Sequence, residues 1–197
     1  SERWKYTALR ALSARDFVLD AGEAAVAPDV VAGIPAPRIT FVNGRFDAAL
    51  SDIGDLPAGM SLLPLSQVLA EGHPRDASFL GRRYDGADEA FAELNAALAL
   101  EGAIVRVDAD AVIAVPVHLV FIGAATGQDQ AAHLRHLVEL RANAALTLVE
   151  HHVATGPHKH LANQLVHVHL GRGAQLLHAR VQDEDAGATV IARTDAV

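Results

Sequence analysis

From Ala103 onward the chain is a succession of short extended runs, and this constrains its fold more than any other feature. The runs 103–107, 117–122, 134–140, 145–153, 164–170, 175–182 and 189–193 are each five to nine residues long, and Gly, Asn or Asp residues punctuate them. No helical periodicity interrupts them. Two stretches resemble one another at an offset of thirty residues: Leu140-Arg141-Ala142-Asn143-Ala144-Ala145-Leu146 lines up with Leu170-Gly171-Arg172-Gly173-Ala174-Gln175-Leu176. Asn143 falls on Gly173, and both residue types tolerate the left-handed conformation that a sharp corner needs. Evenly spaced strands, repeated corners and a weak internal repeat suit a stacked β-solenoid. A β-sandwich built from hairpins fits the strand lengths as well.

The first hundred residues read differently, as a small α+β unit, so the expected division is 1–102 followed by 103–197. Residues 4–12 carry a short amphipathic helical pattern. Pro28, Gly33, Pro35 and Pro37 mark a broken connector. The run 38–42 is a strand, and Asn43-Gly44 before Arg45-Phe46 predicts a type I′ hairpin. Residues 60–63 read as extended and 65–70 as a short helix ending near Gly72. Residues 88–100 read as the clearest helix, capped by Asp88, with Phe91, Leu94 and Leu98 on one side, Asn95 a candidate for the same side, and ended by Gly102.

The chain is 197 residues long, 51% hydrophobic and 20% charged, which is enough to bury a core and too apolar for disorder. A net charge of −8 disfavours nucleic acid or an anionic membrane as partner, and Arg82-Arg83 is too small a basic patch to reverse that. The longest apolar run, 111–125, is broken by Pro116 and His118, and the first residues have no signal-peptide core, so the expected location is cytoplasmic. Cysteine is absent, which excludes disulfides, thiolate metal sites and cysteine nucleophiles within this sequence.

Eleven histidines are present and ten lie between His118 and His178. On a strand, His167 and His169 share a face, as the HxH pair of a cupin-like metal site does, with Glu150 as a candidate carboxylate. No glutamate follows the pair at cupin spacing, and HExxH is absent. The competing expectation is structural. Val166, Val168 and Leu170 alternate with His167 and His169, which places the histidines outward on a half-exposed strand. His118, His136 and His178 sit singly among apolar neighbours, as hydrogen-bonded structural imidazoles do. His158 and His160 fall in a loop, and Asp183-Glu184-Asp185 reads as a solvated corner. None of the six serines sits in GxSxG, and no phosphate loop is present. No catalytic, cofactor-binding or metal-binding residue is therefore assigned.

Several fragments together resemble the SufD family. They are Trp4-Lys5-Tyr6-Thr7 with Leu9, Phe41-Val42-Asn43-Gly44-Arg45-Phe46 with Leu50-Ser51, and Leu94-Asn95-Ala96-Ala97 with Gly102. Arg135-His136-Leu137-Val138, Glu150, Asn163 and Gln182-Asp183-Glu184 continue the resemblance in order. It implies a mainly β protein: a right-handed parallel β-helix, here incomplete, preceded by a mixed N-terminal region. It also implies a non-catalytic scaffold subunit of the SUF iron–sulfur cluster assembly complex, partnered by SufB and the ATPase SufC. The cluster is then the product of the complex and not a cofactor of this chain. Family members run to about twice this length, so the chain is expected to be a fragment. The family's interface histidine and SufC-docking region would lie past Val197, and no functional residue is carried over to His151, His152, His167 or His169. An exposed β-helix end is expected to favour self-association. The alternative function is a metal-dependent cupin-like enzyme using His167 and His169.

Overall fold

The computed structural model of the protein describes residues 12–72, 78–81 and 89–197. The expected helix at 4–12 (apart from its last residue), the Arg82-Arg83 pair and the Asp88 cap lie outside these residues.

Two five-stranded sheets make up the body of the molecule. One has the order β2-β1-β5-β7-β9, formed by Arg45–Phe46, Arg38–Val42, Val117–Gly123, Ala145–Ala154 and Gln175–Asp183. The other has the order β10-β8-β6-β4-β3, formed by Thr189–Ala196, Leu161–Leu170, Ala131–Leu140, Ala103–Val107 and Met60–Pro64. From β4 onward the chain alternates between the sheets, and from β6 onward each strand lies parallel to the strand two before it. The result is a parallel β-solenoid of about three turns. A sandwich of hairpins would have made consecutive strands neighbours, and that reading is overturned. Strands from both sides of position 102 share the two sheets: β1 pairs with β5, and β3 with β4.

The thirty-residue offset seen in the sequence is the repeat of the solenoid. Leu140 lies beside Leu170 and Ala145 beside Gln175, so the intervening corners stack. Asn143 and Gly173 both take left-handed φ values, 57° and 74°, and Asp110 in the preceding turn joins them at 63°. The amide N–H of Asn143 donates to the Arg172 carbonyl at 2.9 Å, and its side-chain amide donates to Asp110 Oδ1 at 2.8 Å. Asn143→Ala is expected to cost about 1–2 kcal/mol, from the left-handed penalty and the lost side-chain bond. Asn143→Gly should lose less, because only the bond is removed. Equal urea midpoints for the two variants would show that the left-handed corner contributes nothing.

The hairpin at 43–44 forms as expected, with φ of 47° at Asn43 and 80° at Gly44. Helix α1, Leu65–Glu71, ends at Gly72 in the left-handed conformation. Helix α2 differs from expectation. It spans Ala90–Leu98, ends in the extended residue Ala99, and buries Ala92 and Asn95 while Leu94 is 44% exposed. Its anchor is polar: the Asn95 side chain donates to the carbonyls of Leu134 and Asn163 on the outside of the second sheet, at 2.8 and 3.0 Å. Gly102 does not cap this helix. A β-carbon there would stand 2.0 Å from the Arg135 carbonyl oxygen, so close backbone packing selects the glycine.

Three apolar clusters hold the body together. The largest fills the space between the sheets with alternate residues, among them Ile39, Phe41, Val105, Leu119, Phe121, Val138, Leu148 and Val166. The others lie outside the sheets. Val42, Val120 and Ile122 are covered by Val31 and its neighbours, and Ile104 and Leu137 by α1 and Phe79.

Candidate functional site

The alternation that places Leu146 and Leu148 inside the solenoid also places Glu150 and His152 inside, on the same strand. Register then carries this polar character along the stack. Leu119 neighbours Glu150, which neighbours Arg180; Phe121 neighbours His152, which neighbours Gln182; and Leu148 neighbours His178. In the second sheet His136 and Gln164 share the inward parity of Val138 and Val166. The interior therefore changes from apolar at β1 and β5 to polar at β7 and β9.

Glu150 is fully buried and shared by three donors. Arg180 Nε donates to its Oε2 at 2.6 Å, His178 Nε2 lies 2.8 Å from Oε1, and His152 Nε2 lies 3.3 Å from Oε2. Burial alone would raise the Glu150 pKa. The bonds from His152, His178 and Arg180 outweigh it and hold the carboxyl well below the usual carboxylate range. His152 is raised despite its burial, because the carboxylates of Glu150 and Glu184 flank it. Its Nδ1 stands 3.7 Å from Glu184 Oε1, an ion-pair separation longer than a hydrogen bond. The His152 ring lies 4.9 Å from that of Phe121, which stacks on Phe41 at 5.7 Å.

His136 faces the same aromatic pair edge-on and is fully buried, which depresses its pKa to about 4. Its Nδ1 accepts the Ala103 N–H at 2.9 Å, so the neutral ring carries its proton on Nε2. Beside this group lies a cavity of about 40 Å³. Phe41, Phe121, His152, His158, Gln164 and Glu184 are among the residues lining it.

Most of the histidines are less exposed than the alternation suggested. His118, His136, His152, His158, His160 and His167 are all buried. His167 does face outward from the solenoid, but the segment Ser78–Gly81 covers it. Phe79 packs edge-on against its ring, and Arg135 donates to its Nε2 at 3.0 Å and to the carbonyls of Phe79 and Leu80 at 3.1 Å. His169 is exposed. The pair His167 and His169 is thus not presented jointly to a cation, because the Nε2 of one is turned to a guanidinium. His158 and His160 do fall in the loop between β7 and β8, but both are buried and stacked at 4.5 Å, and His160 Nε2 donates to the Ala124 carbonyl at 2.8 Å. His118 Nδ1 and His151 Nε2 hydrogen-bond to one another at 3.0 Å. Glu184, read as part of a solvated corner, borders the cavity. Among the described residues, no group of three or more His, Asp or Glu side chains is arranged to hold a metal ion.

The interior network was not assigned from sequence, although one signal pointed to it. In Leu146-Thr147-Leu148-Val149-Glu150-His151-His152, the two leucines fix the inward parity, which Glu150 and His152 inherit. Chemically the arrangement holds a buried carboxylate against the buried imidazole of His152 and against His178 and Arg180, which reach solvent.

Comparison with known proteins gives a consistent picture. Residues 121–197 match the family described as "SUF system FeS cluster assembly, SufBD core domain". The chain is 30% identical to an iron–sulfur cluster assembly SufBD family protein of Synechocystis, over 98% of this chain and 45% of that protein. It is 29% identical to the iron–sulfur cluster assembly protein SufD of Escherichia coli, over 93% of this chain and 42% of that protein. The chain thus spans less than half the length of either relative. No helix among the described residues is long and apolar enough to cross a membrane.

Proposed function

We propose, from its similarity to SufBD family iron–sulfur cluster assembly proteins, that the chain serves as part of a non-catalytic scaffold subunit in a SUF-type assembly complex. The observation that carries this reading is where the family match falls. Residues 121–197 coincide with the rungs from β5 to β10, a stack of parallel strands whose buried charges satisfy one another. Such a stack presents surfaces and edges to other subunits, which suits a component that positions partners. The partners proposed are a SufB-type paralogue and a SufC-type ATPase, in the cytoplasm. The cluster is the product of the complex and is not a resident group of this chain, whose sequence contains no cysteine.

The test is co-expression of the full-length parent protein with its SufB- and SufC-type partners, purified without a nickel column. A stoichiometric complex on size exclusion is the expected result. Elution of the parent protein apart from a SufB–SufC complex would overturn the reading, as would stoichiometric metal bound to the isolated protein together with turnover of its own.

A further inference from the structure

We infer that the cavity between Phe121 and Gln164 is an internal hydration site, whose ligand is a cluster of about three water molecules bridging His152, His158, Gln164 and Glu184. Three buried side chains converge on it. Gln164, on β8, is 1% exposed and turned inward, and neither its amide nitrogen nor its oxygen has a hydrogen-bond partner among the described residues. A buried amide with both atoms unmatched is costly enough that native structures supply a partner. His158 Nδ1 accepts the His160 N–H at 3.2 Å, so the neutral ring carries its proton on Nε2, which is buried and unmatched. His152 Nδ1 is buried and unmatched as well, and the 3.7 Å gap to Glu184 Oε1 is too long for a direct bond.

The ligand is neutral and small for reasons of charge and volume. Two carboxylates, Glu150 and Glu184, face the group from β7 and the turn after β9. Arg180 and His178 are bonded to Glu150, and the two carboxylates raise the His152 pKa, so the negative charge is offset within the network. The lining offers acceptors at Gln164 Oε1 and Glu184, and donors at Gln164 Nε2, His158 Nε2 and His152 Nδ1. Water is both donor and acceptor, and a cavity of about 40 Å³ holds only a few such molecules. Glu184, whose side chain is 21% exposed, lies between this cluster and bulk solvent.

The test is nuclear magnetic resonance on the unaltered chain, observing cross-relaxation between water and the Gln164 side-chain amide protons. Cross-peaks with the sign of long-lived bound water are expected there and at the His158 Nε2 proton. Their absence would overturn the proposal. Gln164→Leu supplies a second measurement. A hydrated site predicts a lower urea midpoint for this variant and loss of the His158 cross-peak. A dry cavity predicts the opposite, because leucine would fill it and remove an unmatched amide. Should the variant not fold, the cross-peaks of the unaltered chain decide.

Discussion

Glu150→Ala is expected to lower the unfolding free energy by about 1.5–3 kcal/mol, the range for losing hydrogen bonds to a charged group, because the Arg180 cation left behind reaches solvent. The carboxylate is fully buried and receives Arg180, His178 and His152. Its loss leaves the guanidinium of Arg180, whose side chain is 29% exposed, without its partner and removes the nearer of the two carboxylates that raise the His152 pKa. Glu150→Gln keeps the volume and one acceptor but loses the charge, so its cost should lie between wild type and Glu150→Ala. Replacing Arg180 by alanine in the Glu150→Ala background should recover part of the loss, because the pair is then removed together and no uncompensated cation remains. Urea denaturation of the four proteins at pH 7 measures the order. A Glu150→Ala midpoint indistinguishable from wild type would mean that the network adjusts or takes up water without penalty.

Much of the fold was legible in the sequence, and the reason is local. The hairpin at Asn43-Gly44, the end of α1 at Gly72 and the stacked corners at Asn143 and Gly173 each rest on a residue type that a specific backbone conformation requires. Strand positions in the second half followed from turn spacing, and the offset of thirty between two corners gave the rung length. The burial of the histidines was less legible, because alternation distinguishes two faces of a strand but not which covering element lies on each. His167 does project outward, as Val166 and Val168 imply, yet Phe79 and Arg135 from distant segments bury it. The side of α2 that packs was missed for a related reason. Its contact is a pair of hydrogen bonds from Asn95 to strand carbonyls, which no apolar periodicity reveals. The interior network depends on register between strands thirty residues apart. Glu150 meets Arg180, and Leu148 meets His178, only once the rungs are stacked.

The same burial makes stability depend on pH, with the larger part of the change in mildly acidic conditions. His136 ionises at about 4 in the folded chain, against 6.5 for an ordinary histidine. A depressed value means that its contribution is fully present above pH 6.5 and is lost as pH falls toward 4, because the unfolded chain takes up the proton first. Between pH 7 and pH 5 this one group should remove about 2 kcal/mol. His118, His133, His151 and His158 are all lowered, burial being the first cause in each, and they act in the same direction. His152 opposes them. Its raised value gives stability that is present below pH 6.5 and declines as pH rises through its folded pKa. Glu150 does not enter this window, because its contribution is retained above the ordinary carboxylate range and lost only at stronger acidity. Five lowered groups against one raised group set the sign: the unfolding free energy should fall from pH 7 to pH 5. His136→Asn, though less stable at every pH through loss of the Ala103 bond, should show a shallower dependence, since it removes the fully buried titrating ring. Urea denaturation of both proteins at several values between pH 4.5 and 7.5 tests this. A wild-type curve that is flat or rises toward acid would show that His152 and its carboxylates outweigh the five depressed imidazoles.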